Sequence, residues 1–216
     1  EPPKEGKTHA AYLRPDDVDT LLRCIDGHRK VLEGEPGPTP QDEWLKEMIV
    51  VAVGTGLRRG ELLALRWRDV DLDGRMLYVR NRVTKDEAFM TKSGDERPVH
   101  LRGDALDTLR AMHEERGGSP SGRVFLLPDG TPPKPDRVTK RFKFYVRKAK
   151  LPDRERLKFH SLRHTTASWL ARQGVGMPII AKIMGHSSSR VTEDHYAHIS
   201  PDVTARAMDE VFGDGR

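Results

Sequence analysis

A single change of apolar period constrains this chain more than anything else in it. Residues 70–101 read as short strands, whereas on both sides apolar residues recur three and four positions apart. Strand side chains return to the same face every second residue and helix side chains about every 3.6, so the period selects the element. Before the break, Val18, Leu21, Leu22 and Ile25 follow Pro15, which suits a first helical position. After a breaking stretch at 34–40, Trp44, Leu45, Met48, Ile49, Ala52 and Val53 predict a largely buried helix, with Thr39 as its cap and Pro40 as its first residue. Within the break, Asp73-Gly74 predicts a hairpin between 70–72 and 76–79. A further strand is expected at 97–101, with a tight turn near Lys92. Beyond it, Leu106, Leu109 and Met112 mark one helix, and Val138, Phe142, Tyr145, Val146 and Ala149 another. Leu162, Thr166, Trp169 and Leu170 mark a third, ending at Gly174. Pro178 opens a short helix that stops at Gly185, and two more patterns follow at 189–198 and 201–212. The expectation is a mainly α fold with a small antiparallel β-sheet (α+β).

A length of 216 residues suits one domain. Residues 1–9, rich in Pro, Lys and Gly, read as a linker, which leaves 10–216 for the domain. No apolar run reaches the ~18 residues of a membrane span and no signal peptide opens the chain, so a cytoplasmic protein is expected. The lone Cys24 cannot form an internal disulfide and fits a buried thiol. The net charge is +5, and it is uneven. Eleven Lys and Arg stand between 134 and 158 against Asp136, Asp153 and Glu155, a local excess of eight. Such a run is either a solvated helix face or a phosphate-contacting surface. On the second reading, Lys134, Arg137, Lys140, Arg141, Lys143 and Arg147 are the candidate phosphate contacts.

Three separated stretches can carry chemistry. In TGLRRGELLALRW, Gly54 and Gly56 allow a tight turn just ahead of Arg58, and Glu61 is close enough to brace it. In HSLRHTTASWL, His160, Arg163 and His164 share one helix face. Two histidines at that spacing suit a metal, but Ser161 stands where a metalloprotease needs Glu, no cysteine cluster adds ligands, and an intervening arginine repels a cation. No metal and no cofactor are expected. In IMGHSSSRVTEDHYAH, Gly185 ends a helix so that His186 projects from a turn, and Tyr196 lies on the next helix.

Together, and in this order, the three stretches resemble the tyrosine recombinase (phage integrase) family over 12–210, including AYLRPDDVDTLL and TKSGDERPVHL. The resemblance implies that Arg58 and Arg163 bind the scissile phosphate with His186, and that His160 helps accept a proton. It makes Lys92 the general acid, with Lys85 as a rival, and Tyr196 the nucleophile. Met184 stands where the family has Leu, and His186 and Tyr196 are ten positions apart, a longer spacing than many members show. The implied activity is cleavage and rejoining of double-stranded DNA at specific sites through a 3′-phosphotyrosyl link, for integration or excision of a mobile element. The implied assembly is a homotetramer on DNA, with the segment after Pro201 docking in trans, and an N-terminal DNA-clamping domain outside these residues. A type IB topoisomerase-like enzyme shares this chemistry. A non-catalytic regulator, reading 162–186 as helix-turn-helix, leaves the six-residue set unexplained.

Overall fold

The computed structural model describes residues 11–32, 42–83, 88–89 and 96–185. Helix α1 (Pro15–Leu32) begins at the proline, as the sequence implies. Helix α2 (Glu43–Thr55) starts with Asp42 in the capping position, later than a Thr39 cap would place it. Its Trp44, Leu45, Met48, Ile49, Val51, Ala52 and Val53 are all buried. These buried apolar residues make α2 the central helix, packed by α1, α3 (Arg59–Ala64), α4 (Gly103–Arg116), α5 (Pro135–Lys148) and α6 (Ser161–Arg172). Gly54 lies within α2 rather than in a turn. A Cβ there would fall 2.6 Å from that of Ala105, so this glycine lets α4 approach closely. Gly56, with φ at 66°, is the residue that turns the chain.

The expected sheet is present. Strands β1 (Val70–Asp71), β2 (Met76–Val79) and β5 (Arg97–His100) form an antiparallel sheet in the order β1-β2-β5. Leu77 pairs with Val70 on one side and Val99 on the other. A separate two-stranded ribbon, β3 (Arg82–Val83) with β4 (Ala88–Phe89), was not foreseen. Lys85 falls between its strands in the sequence, and Lys92 between β4 and β5. Both lysines lie outside the described residues.

Helix α7 (Met177–Met184) packs on α6 and ends at Gly185, which takes a left-handed φ of 62°. The chain ahead of α1 is fastened to α6: the Leu13 amide donates to Thr165 Oγ1 at 2.9 Å, and Trp169 Nε1 donates to the Leu13 carbonyl at 3.0 Å. Cys24 is half-buried, and burial pushes its thiol up. Among the described residues, no helix is long and apolar enough to cross a membrane.

Candidate active site

Arg58 stands where α2 ends and α3 begins. Gly56 reverses the backbone, and Leu57, 2% exposed, anchors the turn in the core. Arg58 itself is extended, at the capping position of α3. Glu61, one turn inside α3, reaches back to the Arg58 amide at 2.8 Å and holds its Nη1 at 2.8 Å. The first contact caps the helix and the second aims the guanidinium. Glu61 is 4% exposed. Burial would raise its carboxyl, but the hydrogen bonds and charge of Arg97, then those of Arg58, outweigh that and hold it below the usual carboxylate range.

Arg163 is 3% exposed, so it is held within the protein, as its place on a core-entering helix implies. Its Nη1 donates to the Gly56 carbonyl at 2.7 Å and its Nη2 to that of Met184. The neighbouring Thr166 hydroxyl donates to the Val53 carbonyl at 2.8 Å, tying α6 to α2. His160 occupies the capping position of the same helix and is exposed, its ring edge-on to that of His164 with centroids 5.0 Å apart. Arg58 reaches the same turn from the other side, with Nη2 donating to the Gly185 carbonyl at 2.9 Å. Two arginines from distant segments therefore meet on Met184 and Gly185, immediately before His186 in the chain. His186, Lys92 and Tyr196 lie outside the described residues.

Sequence reasoning missed Arg97. It was read only as the start of a strand, yet its side chain is 9% exposed and pairs with Glu61. A signal existed: Arg97 and Val99 are the buried positions of β5, so a charge occupies an inward-facing strand position.

The first part of the basic run, from Lys134 to Lys148, forms α5 with its capping residue, and Lys150, Arg154, Arg156 and Lys158 follow it. Val138, Phe142, Tyr145 and Val146 face the core, while Lys134, Arg137, Lys140, Lys143 and Arg147 are exposed. Arg147 pairs with Glu155 at 3.0 Å on the surface. Arg141 differs from the others. Its Nε donates to Asp42 Oδ1 at 2.9 Å, its Nη2 reaches Oδ2, and Tyr145 donates to the same carboxylate at 2.8 Å. This cluster fixes α5 to the start of α2. Arg59, next to Arg58, donates to Thr139 and fixes α5 to α3. Among the described residues, no group of three His, Cys, Asp or Glu could hold a metal ion.

The model of the phage integrase family matches residues 11–202. The chain is 28% identical to an integrase of Salmonella phage P22 over 95% of this chain and 57% of that protein. It is 26% identical to a XerC-like tyrosine recombinase of Caldanaerobacter subterraneus subsp. tengcongensis, over 96% of this chain and 55% of the relative. The chain thus spans about half the length of these curated relatives. Its fold is similar to that of the Tn1549 transposon integrase in complex with circular intermediate DNA, with a TM-score of 0.71 and 25% identity over 95% of this chain and 68% of the other.

Proposed function

This chain belongs to the phage integrase family, and from that premise we propose that it cleaves and rejoins double-stranded DNA at specific sites, as an integrase does. The observation that carries this reading is the convergence of Arg58 and Arg163 on the turn leading to His186. A pentavalent phosphorane carries extra negative charge on its equatorial oxygens. Fixed guanidinium groups, charged at every working pH, stabilise that charge without having to reorganise. Arg58 is 19% exposed at its side chain, enough to reach a phosphate while Glu61 holds it from behind.

The Tyr196 oxygen attacks phosphorus and becomes bonded to the 3′-phosphate. The 5′ oxygen leaves and takes a proton from Lys92. His160 helps receive the phenolic proton, and His186 donates to a phosphate oxygen. The phosphodiester energy is kept in the phosphotyrosyl bond, so the reverse attack by a 5′-hydroxyl rejoins the strand. Tyr145 is no rival nucleophile. It is 1% exposed, and burial, then its bond to Asp42, pushes its phenol above the ordinary range. The helix-turn-helix reading of 162–186 gives no reason for Arg58 and Arg163 to meet on the same turn. Lys134, Arg137, Lys140, Lys143 and Arg147 would meet the DNA backbone, with Arg141 holding their helix in place. Exchange between two duplexes involves four strands and one tyrosine for each, which fits a homotetramer. Val203, Ala207, Met208 and Val211 give the segment after Pro201 an apolar stripe for docking on a neighbour.

The test is a pool of nicked duplexes with randomised sequence around the nick, from which protein-linked DNA is recovered and sequenced. The chain should form adducts that converge on a common sequence, and Tyr196→Phe should form none while still binding DNA. An adduct that persists in Tyr196→Phe would overturn the nucleophile, and no adduct from the unaltered chain would overturn the function.

A further inference from the structure

Three consecutive carbonyls at the end of α7 each accept from a different arginine. Arg97 Nε donates to that of Ile183 at 3.3 Å, Arg163 Nη2 to that of Met184, and Arg58 Nη2 to that of Gly185 at 2.9 Å. The last carbonyls of a helix lack partners within it and carry partial negative charge, so cations belong there. Two of these arginines are assigned to the scissile phosphate. The third has no assigned role.

Arg97 also grips Glu61 as a two-pronged fork, with Nη1 to Oε1 at 3.1 Å and Nη2 to Oε2 at 2.8 Å. The same two carboxylate oxygens hold the Arg58 side chain and amide. Arg97 therefore touches both groups that orient Arg58: its carboxylate brace and the α7 turn on which it rests. The fit is close, since a Cβ on Gly185 would lie 2.9 Å from Cδ and Nε of Arg97.

Resting on the reading of the previous subsection, we propose that Arg97 is a positioning residue for strand cleavage. It holds the Glu61 carboxylate so that Arg58 presents its remaining N–H groups to the phosphate. It also fixes the end of α7, from which the chain continues to His186 and Tyr196. Without Arg97, Glu61 has one guanidinium partner instead of two and draws more of the Arg58 donors onto itself. Lysine cannot replace it, because one ammonium cannot span a carboxylate and a carbonyl as a planar fork does.

The inference is tested with single-turnover adduct formation on a nicked duplex recovered from the randomised pool. The variants are Arg97→Gln, Arg97→Lys, Arg58→Ala and the double variant Arg58→Ala/Arg97→Gln. Arg97→Gln should slow adduct formation by up to about 100-fold, the scale of a misplaced group, while noncovalent affinity for intact duplex is unchanged. Arg97→Lys retains the charge opposite Glu61, which guards against simple unfolding, and should remain nearly as slow. In the Arg58→Ala background, Arg97→Gln should add no further loss, because a residue that acts through Arg58 has nothing left to orient. Losses that multiply in the double variant, or an Arg97→Lys enzyme at the unaltered rate, would overturn the inference while leaving the function intact. If the unaltered chain forms no adduct, the function falls and the inference with it.

Discussion

At the scale of the residue, Glu61 is the buried carboxylate on which two guanidinium groups converge. Burial alone would raise its pKa, and Arg97 and Arg58 bring it below its ordinary value of 4.5. A carboxyl depressed on folding contributes stability that is fully present above its unfolded pKa and is lost as pH falls through the folded one. Glu61→Gln should therefore cost a few kcal/mol at neutral pH, because it leaves the buried Arg97 and the half-buried Arg58 short of a charge. That difference from the unaltered chain should shrink as pH falls below about 4.5, where Glu61 of the unfolded chain takes up a proton first and the folded one follows only at lower pH. Urea denaturation of both proteins at neutral and acidic pH measures it. A gap of constant size across that range would mean that Glu61 acts through shape and not charge.

At the scale of the element, α5 separates two uses of a basic side chain. Lys140 and Lys143 stand free of the core on its exposed side, whereas Arg141 shares Asp42 with Tyr145 and stacks on Phe144, 4.9 Å from the ring centre. If α5 lies along a DNA backbone, each exposed lysine that meets a phosphate releases about one counterion. Lys140→Ala and Lys143→Ala should each weaken binding evenly across sequences and lower the salt slope by roughly one. Arg141→Ala should instead lower the melting temperature, since Asp42 and Tyr145 lose their partner in a half-buried cluster. Titration of duplex DNA at several salt concentrations, beside a thermal melt, distinguishes the two. A slope unchanged by both lysine variants would remove α5 from the interface.

At the scale of the whole molecule, segments far apart in the chain come together to hold cations at one place. The end of α2, the start of α3, β5, α6 and the end of α7 each supply one part. Under the proposed function, Arg58 and Arg163 neutralise the phosphate charge, the role that divalent ions fill in two-metal nucleases. Adduct formation on nicked duplex should accordingly survive excess EDTA. Loss of activity that returns on adding Mg²⁺ or Zn²⁺ would contradict this account. Fastenings of α6, among them Thr165 and Trp169 to Leu13, Thr166 to Val53 and Arg163 to Gly56, keep its arginine fixed relative to Arg58.

Period, prolines and turn dipeptides act locally, so the elements and the chemistry-bearing stretches are legible in residue order alone. Pro15 does start α1, Asp73-Gly74 does join β1 to β2, and Gly185 does end α7. Arg58 and Glu61 were legible as a pair because they lie one helical turn apart. Arg163 was legible as held because it follows Leu162 into the core. The rest depends on contacts between distant segments, which form only when the chain folds. Nothing near Gly54 announces Ala105, so a glycine inside a helix read as part of a turn. Nothing near Arg141 announces Asp42, so a clamp read as one more phosphate contact. Arg97 looked like the start of a strand because its carboxylate lies on another helix and its carbonyl on a third segment, and no local pattern encodes a pairing made across the core.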